Sequence, residues 1–181
     1  MSGLRAALKA ETSREHEQTE ALFAPYDLSD SMGYRRFLHA HASVLAPIER
    51  AVGLASLWNG WAPRLHLLRS DLEALGESLP AVSVPPVGAS EAELWGMLYV
   101  VEGSRLGGAV LAARVGGEMP RRYLAEKPAP GHWRLFLAAL EEVGEAGSLA
   151  WRAEVVQGAH RGFALFGEAA RTGLDRAYAV A

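Results

Sequence analysis

Cysteine is absent from these 181 residues. That excludes disulfides, thiolate-bound zinc, iron–sulfur clusters, thiol nucleophiles and thioether attachment of a cofactor through C-x-x-C-H. Lysine is almost absent too: of 18 basic residues only Lys9 and Lys127 are lysines. Against 21 acidic residues the net charge is −3, which gives no general attraction to nucleic acid or to an anionic membrane. No uninterrupted apolar stretch approaches the roughly 20 residues of a membrane span. The first twenty residues, MSGLRAALKAETSREHEQTE, lack an apolar signal region, so a cytoplasmic location is expected. There is no Glu-x-x-His, which argues against a di-iron carboxylate bundle. Gly103-Ser104-Arg105-Leu106-Gly107 is neither a nucleophile elbow nor a phosphate loop, having no strand before it.

What is present is helical periodicity, with no convincing alternating strand. The length suits one domain with a sizeable core and is too short for two comfortable ones. The pattern predicts a helix from about Gly3 to Ala24, ended by Pro25, and a second from Ser29–Ser31 that turns Tyr34, Phe37, Leu38, Leu45 and Ile48 inward around Pro47. A third follows Pro63, with Leu65, Leu68, Leu72 and Leu75 in register and Gly76 as C-cap. Leu79 to Ser90 reads as a proline-rich loop, and Ser90 with Glu93 as a capping box. Beyond a second loop, Gly116 to Gly131, helices are predicted over His132–Val143 and from Ser148 onward, with Gly158 and Gly162 as candidate bends. The expected architecture is a single all-α domain of about six helices over residues 1–181.

The segment from Glu91 to Val115 reads as one buried helix, yet contains Gly96, Gly103, Gly107 and Gly108. Each interior glycine costs roughly 1 kcal/mol against alanine. Gly96, Gly103 and Gly107 share a stripe, because steps of seven and four residues turn about −20° and 40°. Something approaches that backbone closely: another helix, or a flat ligand.

The first helix is anomalous in the opposite sense. Glu11 to Glu20, ETSREHEQTE, has no aliphatic or aromatic side chain, although Leu4, Leu8, Leu22 and Phe23 flank it. Its inward side faces either solvent or a ligand. His16 lies at its centre with Glu20 one turn on, where a carboxylate can orient the ring. Lys9 lies seven residues back on the same face, about 10 Å along the axis, close to the span from a haem iron to its propionates. The other histidines offer less. His39 and His41 point to different faces, and His66, His132 and His160 have no carboxylate at chelating spacing.

Leu8-Lys9-Ala10-Glu11-Thr12, with His16 and Glu20, resembles the proximal helix of haem oxygenases, L-K-x-x-T-x-x-x-H-x-x-x-E. Tyr99 to Gly108, YVVEGSRLGG, is similar to their distal helix in the form Y-V-x-E-G-S-x-L-G-G of bacterial members, including those associated with bacteriophytochromes. Motif order, spacing and length also fit, so the resemblance covers most of the chain.

The resemblance implies an all-α, multi-helix bundle holding haem between a proximal N-terminal helix and a glycine-kinked distal helix. His16 is then the iron ligand, with Glu20 behind it and Lys9 near a propionate. Gly103 and Gly107 set distal backbone against the haem face, with Ser104 and Gly108 beside the oxygen site. Tyr99 and Phe163 join the haem contacts, and Arg134 is a candidate propionate partner. Many members have an aspartate where this chain has Ser104, a departure some bacterial members share. The implied reaction opens haem, both substrate and cofactor, to biliverdin with release of iron and carbon monoxide. It uses O2 and electrons from a separate ferredoxin or flavin reductase, and a bacteriophytochrome is a candidate recipient of the product. A neutral histidine leaves the sixth iron position open, and a glycine wall lets bound oxygen lean toward a meso carbon. The alternatives are a non-catalytic haem binder or carrier of the same fold, and a haem-free helical interaction protein.

Overall fold

The computed structural model describes residues 3–80 and 89–178, with side chains as far as residue 174. Its helices are α1 (Leu4–Phe23), α2 (Ser31–Ala55), α3 (Leu65–Ala74), α4 (Glu91–Gly103), α5 (Gly108–Arg114), α6 (Arg122–Ala125), α7 (His132–Ala146) and α8 (Leu149–Tyr178). A 3-10 turn, Ser104–Gly107, joins α4 to α5. The class is all-α, with no strand among the described residues.

Local chemistry explains most helix ends. Pro25 stops α1 after Ala24 has donated its N–H to the Glu20 carbonyl. The Asp30 carboxylate caps α2 by accepting from the Gly33 N–H at 2.8 Å. Pro47 sits inside α2 without breaking it. Gly76, at φ +76°, closes α3 in the left-handed region, where glycine has no Cβ to clash. The capping box at Ser90 and Glu93 is formed reciprocally. Most of the proline-rich loop before it, residues 81–88, lies outside the described residues.

The start of α1 is capped from a distance. Gly3 has no side chain to offer, and the Glu141 carboxylate of α7 accepts from the Leu4 and Arg5 N–H groups at 2.9 and 2.8 Å. A carboxylate there satisfies two orphan donors and complements the helix dipole.

Two expectations are corrected. The loop from Gly116 to Gly131 contains the short helix α6, which packs on α3 and α5. Gly158 and Gly162, the candidate bends, lie inside α8, which runs through both. They let α4 approach: a Cβ on Gly158 would overlap the Glu93 carbonyl, and one on Gly96 the Val155 carbonyl. Finally, the glycine-rich segment is not one helix, because it tightens into the 3-10 turn at Ser104–Gly107. Its glycines have different surroundings: Gly96 meets a helix backbone, whereas a Cβ on Gly107 would meet nothing within 4 Å.

The core is one continuous cluster, including Phe37, Leu45, Trp95, Leu98, Phe136 and Phe166. It fills the space between α2, α4, α7 and α8, and α1 lies against α8 over its edge. Leu4, Leu8 and Thr12 are the buried positions of α1. Between Thr12 and Leu22, where it next packs on the core, the helix borders open space.

Candidate active site

That space is a cavity of about 840 Å3, within the roughly 300–1,000 Å3 typical of small-molecule and cofactor pockets. From α1 it is lined by Lys9, Thr12, His16 and Glu20. From the distal side come Tyr99, Gly103, Ser104 and Gly107, and from α8 Phe163. The polar run of the first helix therefore faces the cavity with part of its surface. The rest of the wall is mostly aromatic and aliphatic, with Phe23, Phe37 and Leu111 prominent.

On the proximal side, His16 Nδ1 stands 3.8 Å from Glu20 Oε1, and both side chains are well exposed. Nε2 is the nitrogen turned away from the carboxylate. The Phe163 ring meets His16 edge-on at 6.1 Å. The neighbouring Glu15 ties α1 to α8 through His160 Nδ1 at 2.8 Å, so the helix is anchored on one side of His16 and open on the other.

The distal wall is bare backbone at its centre. A Cβ on Gly103 would come no nearer than 3.8 Å to the Trp133 ring. Ser104 Oγ donates to the Val101 carbonyl at 2.7 Å and accepts from the Arg64 guanidinium at 2.7 Å. The Tyr123 hydroxyl also hydrogen-bonds to Ser104, so this hydroxyl at the cavity wall is held from behind on several sides.

Behind Ser104 lies a polar group that its sequence neighbours do not announce. Arg64 is buried, donates also to the Val101 carbonyl at 2.9 Å, and stacks 5.0 Å over the Tyr123 ring. The Tyr123 hydroxyl pairs with His41 Nδ1 at 2.8 Å, and His41 lines the cavity among Phe23, Phe37 and Phe166. Burial, helped by the Arg64 charge, pushes the His41 pKa down to about 3, so the ring is neutral. Burial raises the Tyr123 hydroxyl above its ordinary value. Arg64, Tyr123 and His41 come from α3's start, α6 and α2; no local pattern links them.

Eight of the ten sequence-selected positions line the cavity and two do not. Gly108 faces away, because one further residue rotates its Cα toward α6; an added Cβ would stand 2.8 Å from the Leu124 carbonyl oxygen. Arg134 is exposed on α7 and outside the lining, and its neighbour Trp133 reaches the cavity instead. Arg114 is a lining cation that sequence reading did not select. Of the other histidines, His39 stands 3.5 Å from Glu77, and His132 lies 2.6 Å from Glu102. Among the described residues no group of three or more His, Cys, Asp or Glu could hold a metal ion. Any iron here must bring most of its own ligands.

Fold and site together define an all-helical protein with a pocket for a flat, largely apolar ligand. One wall carries a single imidazole, the opposite wall is glycine backbone, and Lys9 and Arg114 supply cations along the lining. A tetrapyrrole-bound iron fits that donor set. No protein-family model matches the chain. It is 38% identical over 149 residues to a haem oxygenase of Xanthomonas campestris, covering 76% of this chain and 88% of that one. It is 33% identical over 150 residues to the haem oxygenase PigA of Pseudomonas aeruginosa, covering 73% and 74%. Its fold matches the NO- and CO-bound haem oxygenase of Neisseria meningitidis with a TM-score of 0.80 at 25% identity, over 96% of this chain and 92% of that one. The chain belongs to the haem oxygenase family.

Proposed function

We propose that this protein is a haem oxygenase that opens haem to biliverdin with release of iron and carbon monoxide. The observation that carries the reading is the cavity itself, with His16 on one wall and the bare backbone of Gly103 and Gly107 on the other. When bound, haem supplies the iron that holds oxygen and the meso carbon that receives it.

The chain's own residues do the rest. His16 is the one imidazole on the α1 wall and takes the role of iron ligand; Glu20 orients its ring. Lys9 and Arg114 take the role of propionate partners, in place of the earlier candidate Arg134. Gly103 and Gly107 keep acid and base side chains away from the oxygen site and let a flat ligand lie against the backbone. Ser104 brings a hydroxyl there, Arg64 holds it in place, and neutral His41 adds a second polar edge. Tyr99, Phe163 and the other rings exclude bulk water from the ligand faces.

The reading takes O2 and electrons from a separate donor such as a ferredoxin or flavin reductase, in one cytoplasmic domain spanning residues 1–181. A bacteriophytochrome is the candidate recipient of biliverdin. Among the described residues no helix is long and apolar enough to cross a membrane. The test is a hemin titration followed by addition of ascorbate. Loss of the Soret band with growth of a biliverdin spectrum is the expected outcome. Stable hemin binding without that conversion would reduce the protein to a carrier, and failure to bind hemin would remove the haem reading.

A further inference from the structure

The distal turn has almost nothing on its cavity side to hold it in shape. Gly103 and Gly107 have no side chains, and 3-10 hydrogen bonds are poorer than those of an α-helix. Leu106 is 60% exposed, and Ser104 is bonded to its own turn and to Arg64. Arg105 is the residue of the turn that points into the protein, with 2% of its side chain exposed.

Its guanidinium makes contacts with three segments. Nε and Nη2 meet the two oxygens of Glu102 at 2.8 and 3.1 Å. Nη1 donates to Glu126 at 2.8 Å, and Nη2 also donates to the Ala62 carbonyl. Glu102 is fully buried and accepts in addition from His132 Nε2 at 2.6 Å, at the first turn of α7. The turn is thus tied at one point to the loop before α3, the segment after α6 and the start of α7. None of Glu102, Arg105, Glu126 or His132 lines the cavity.

We propose that Arg105 is the positioning residue of the distal turn, fixing the cavity-facing backbone of Gly103 to Gly107 from its blind side through Glu102, His132 and Glu126. A buried ion pair is a poor general stabiliser, since well-packed apolar groups of similar volume often serve as well or better. What it supplies, and apolar packing does not, is direction: a planar fork holds its carboxylate in one orientation. A turn that ends in Gly107 and lies between Gly103 and Gly108 needs that restraint because these positions bring no side-chain packing.

The inference deepens the proposed function but rests on it only for a kinetic reading. Two variants test it, Arg105→Lys, which keeps the charge and loses the fork, and the double variant Glu102→Met with Arg105→Met, which keeps buried volume and loses both charges. Amide hydrogen exchange is followed in the protein without hemin, beside thermal melts. We expect exchange at residues 103–108 to rise at least about tenfold in both variants, with α2 and α8 unchanged. In at least one of them the melting temperature should stay within about 5 °C of wild type. With hemin loaded, kcat should fall at least about tenfold while hemin affinity changes less than about threefold. Wild-type exchange at the turn in either folded variant overturns the proposal. So does acceleration spread evenly over the molecule, which makes the cluster a fold stabiliser only. Faster exchange at the turn in a protein that never turns over hemin leaves the anchor standing and removes the haem oxygenase reading instead.

Discussion

With 62% of its side chain exposed, and Glu20 and Phe163 beside it, His16 adds little to the packing of α1. Replacing it by alanine, the better helix former, should leave the circular dichroism spectrum all-α. Hemin should still enter the apolar cavity. What should vanish are biliverdin formation and the axial-imidazole nitrogen hyperfine signal in the NO adduct, and added imidazole should restore part of the turnover. Retention of that signal would move the iron ligand elsewhere. Lys9 is a milder case: an exposed cation facing a carboxylate contributes about 1 kcal/mol or less. Lys9→Ala should therefore bind hemin within about fivefold of wild type while altering the biliverdin isomer ratio, as product analysis would show. His41 has a signature of its own. Its native pKa is depressed to about 3, so between the ordinary value near 6.5 and that point the unfolded chain takes up a proton that the native protein refuses. Its contribution to stability is complete above pH 6.5 and falls as pH drops. Urea unfolding should show the advantage of wild type over His41→Gln shrinking in that window, by up to about 1.4 kcal/mol per pH unit; a pH-independent difference would mean that the ring is charged when folded.

Gly96 and Gly107 have opposite surroundings, and substitution separates them. Alanine at Gly96 must push its Cβ into the Val155 carbonyl, forcing α4 off α8. Overpacking of this kind costs roughly 1–3 kcal/mol, so Gly96→Ala should lower the melting temperature markedly. Gly107→Leu meets no protein atom near its Cβ and should melt close to wild type, yet fail to bind hemin or to turn it over. Equal activity in that variant would show that the cavity face of the turn is not where the ligand lies. Neighbouring residues made most element boundaries readable: Pro25, Asp30, Gly76 and the Ser90–Glu93 box each act within a few positions. The 3-10 turn was not readable, because Gly103 to Gly108 looks the same on paper whether the helix continues or tightens. Nor were Arg64, Tyr123 and His41, which meet only after α2, the start of α3 and α6 have packed. Local motifs marked the proximal and distal walls of the cavity, while the polar groups behind the distal wall depend on contacts between residues tens of positions apart.

As a whole, the molecule combines a built core and a large cavity in one chain. Ligand that binds only the folded form stabilises it by mass action, about 2.7 kcal/mol at one hundred times Kd. For a protein of this size that corresponds to a rise in melting temperature of roughly 5–10 °C. Hemin should produce such a rise with little change in helix content, since the walls are already in place. A large gain in helix would mean instead that the pocket is assembled by its ligand.

The cap on α1 has a consequence for synthesis. The carboxylate that closes the N-terminus of this helix belongs to residue 141, and the helix it lies along, α8, begins only at Leu149. Glu141 and α8 therefore leave the ribosome more than a hundred residues after His16. Until then the nascent chain presents an imidazole with no pocket around it. Capture of haem against His16 must therefore wait until α8, which brings Phe163 against the ring, has been made and has packed on α1.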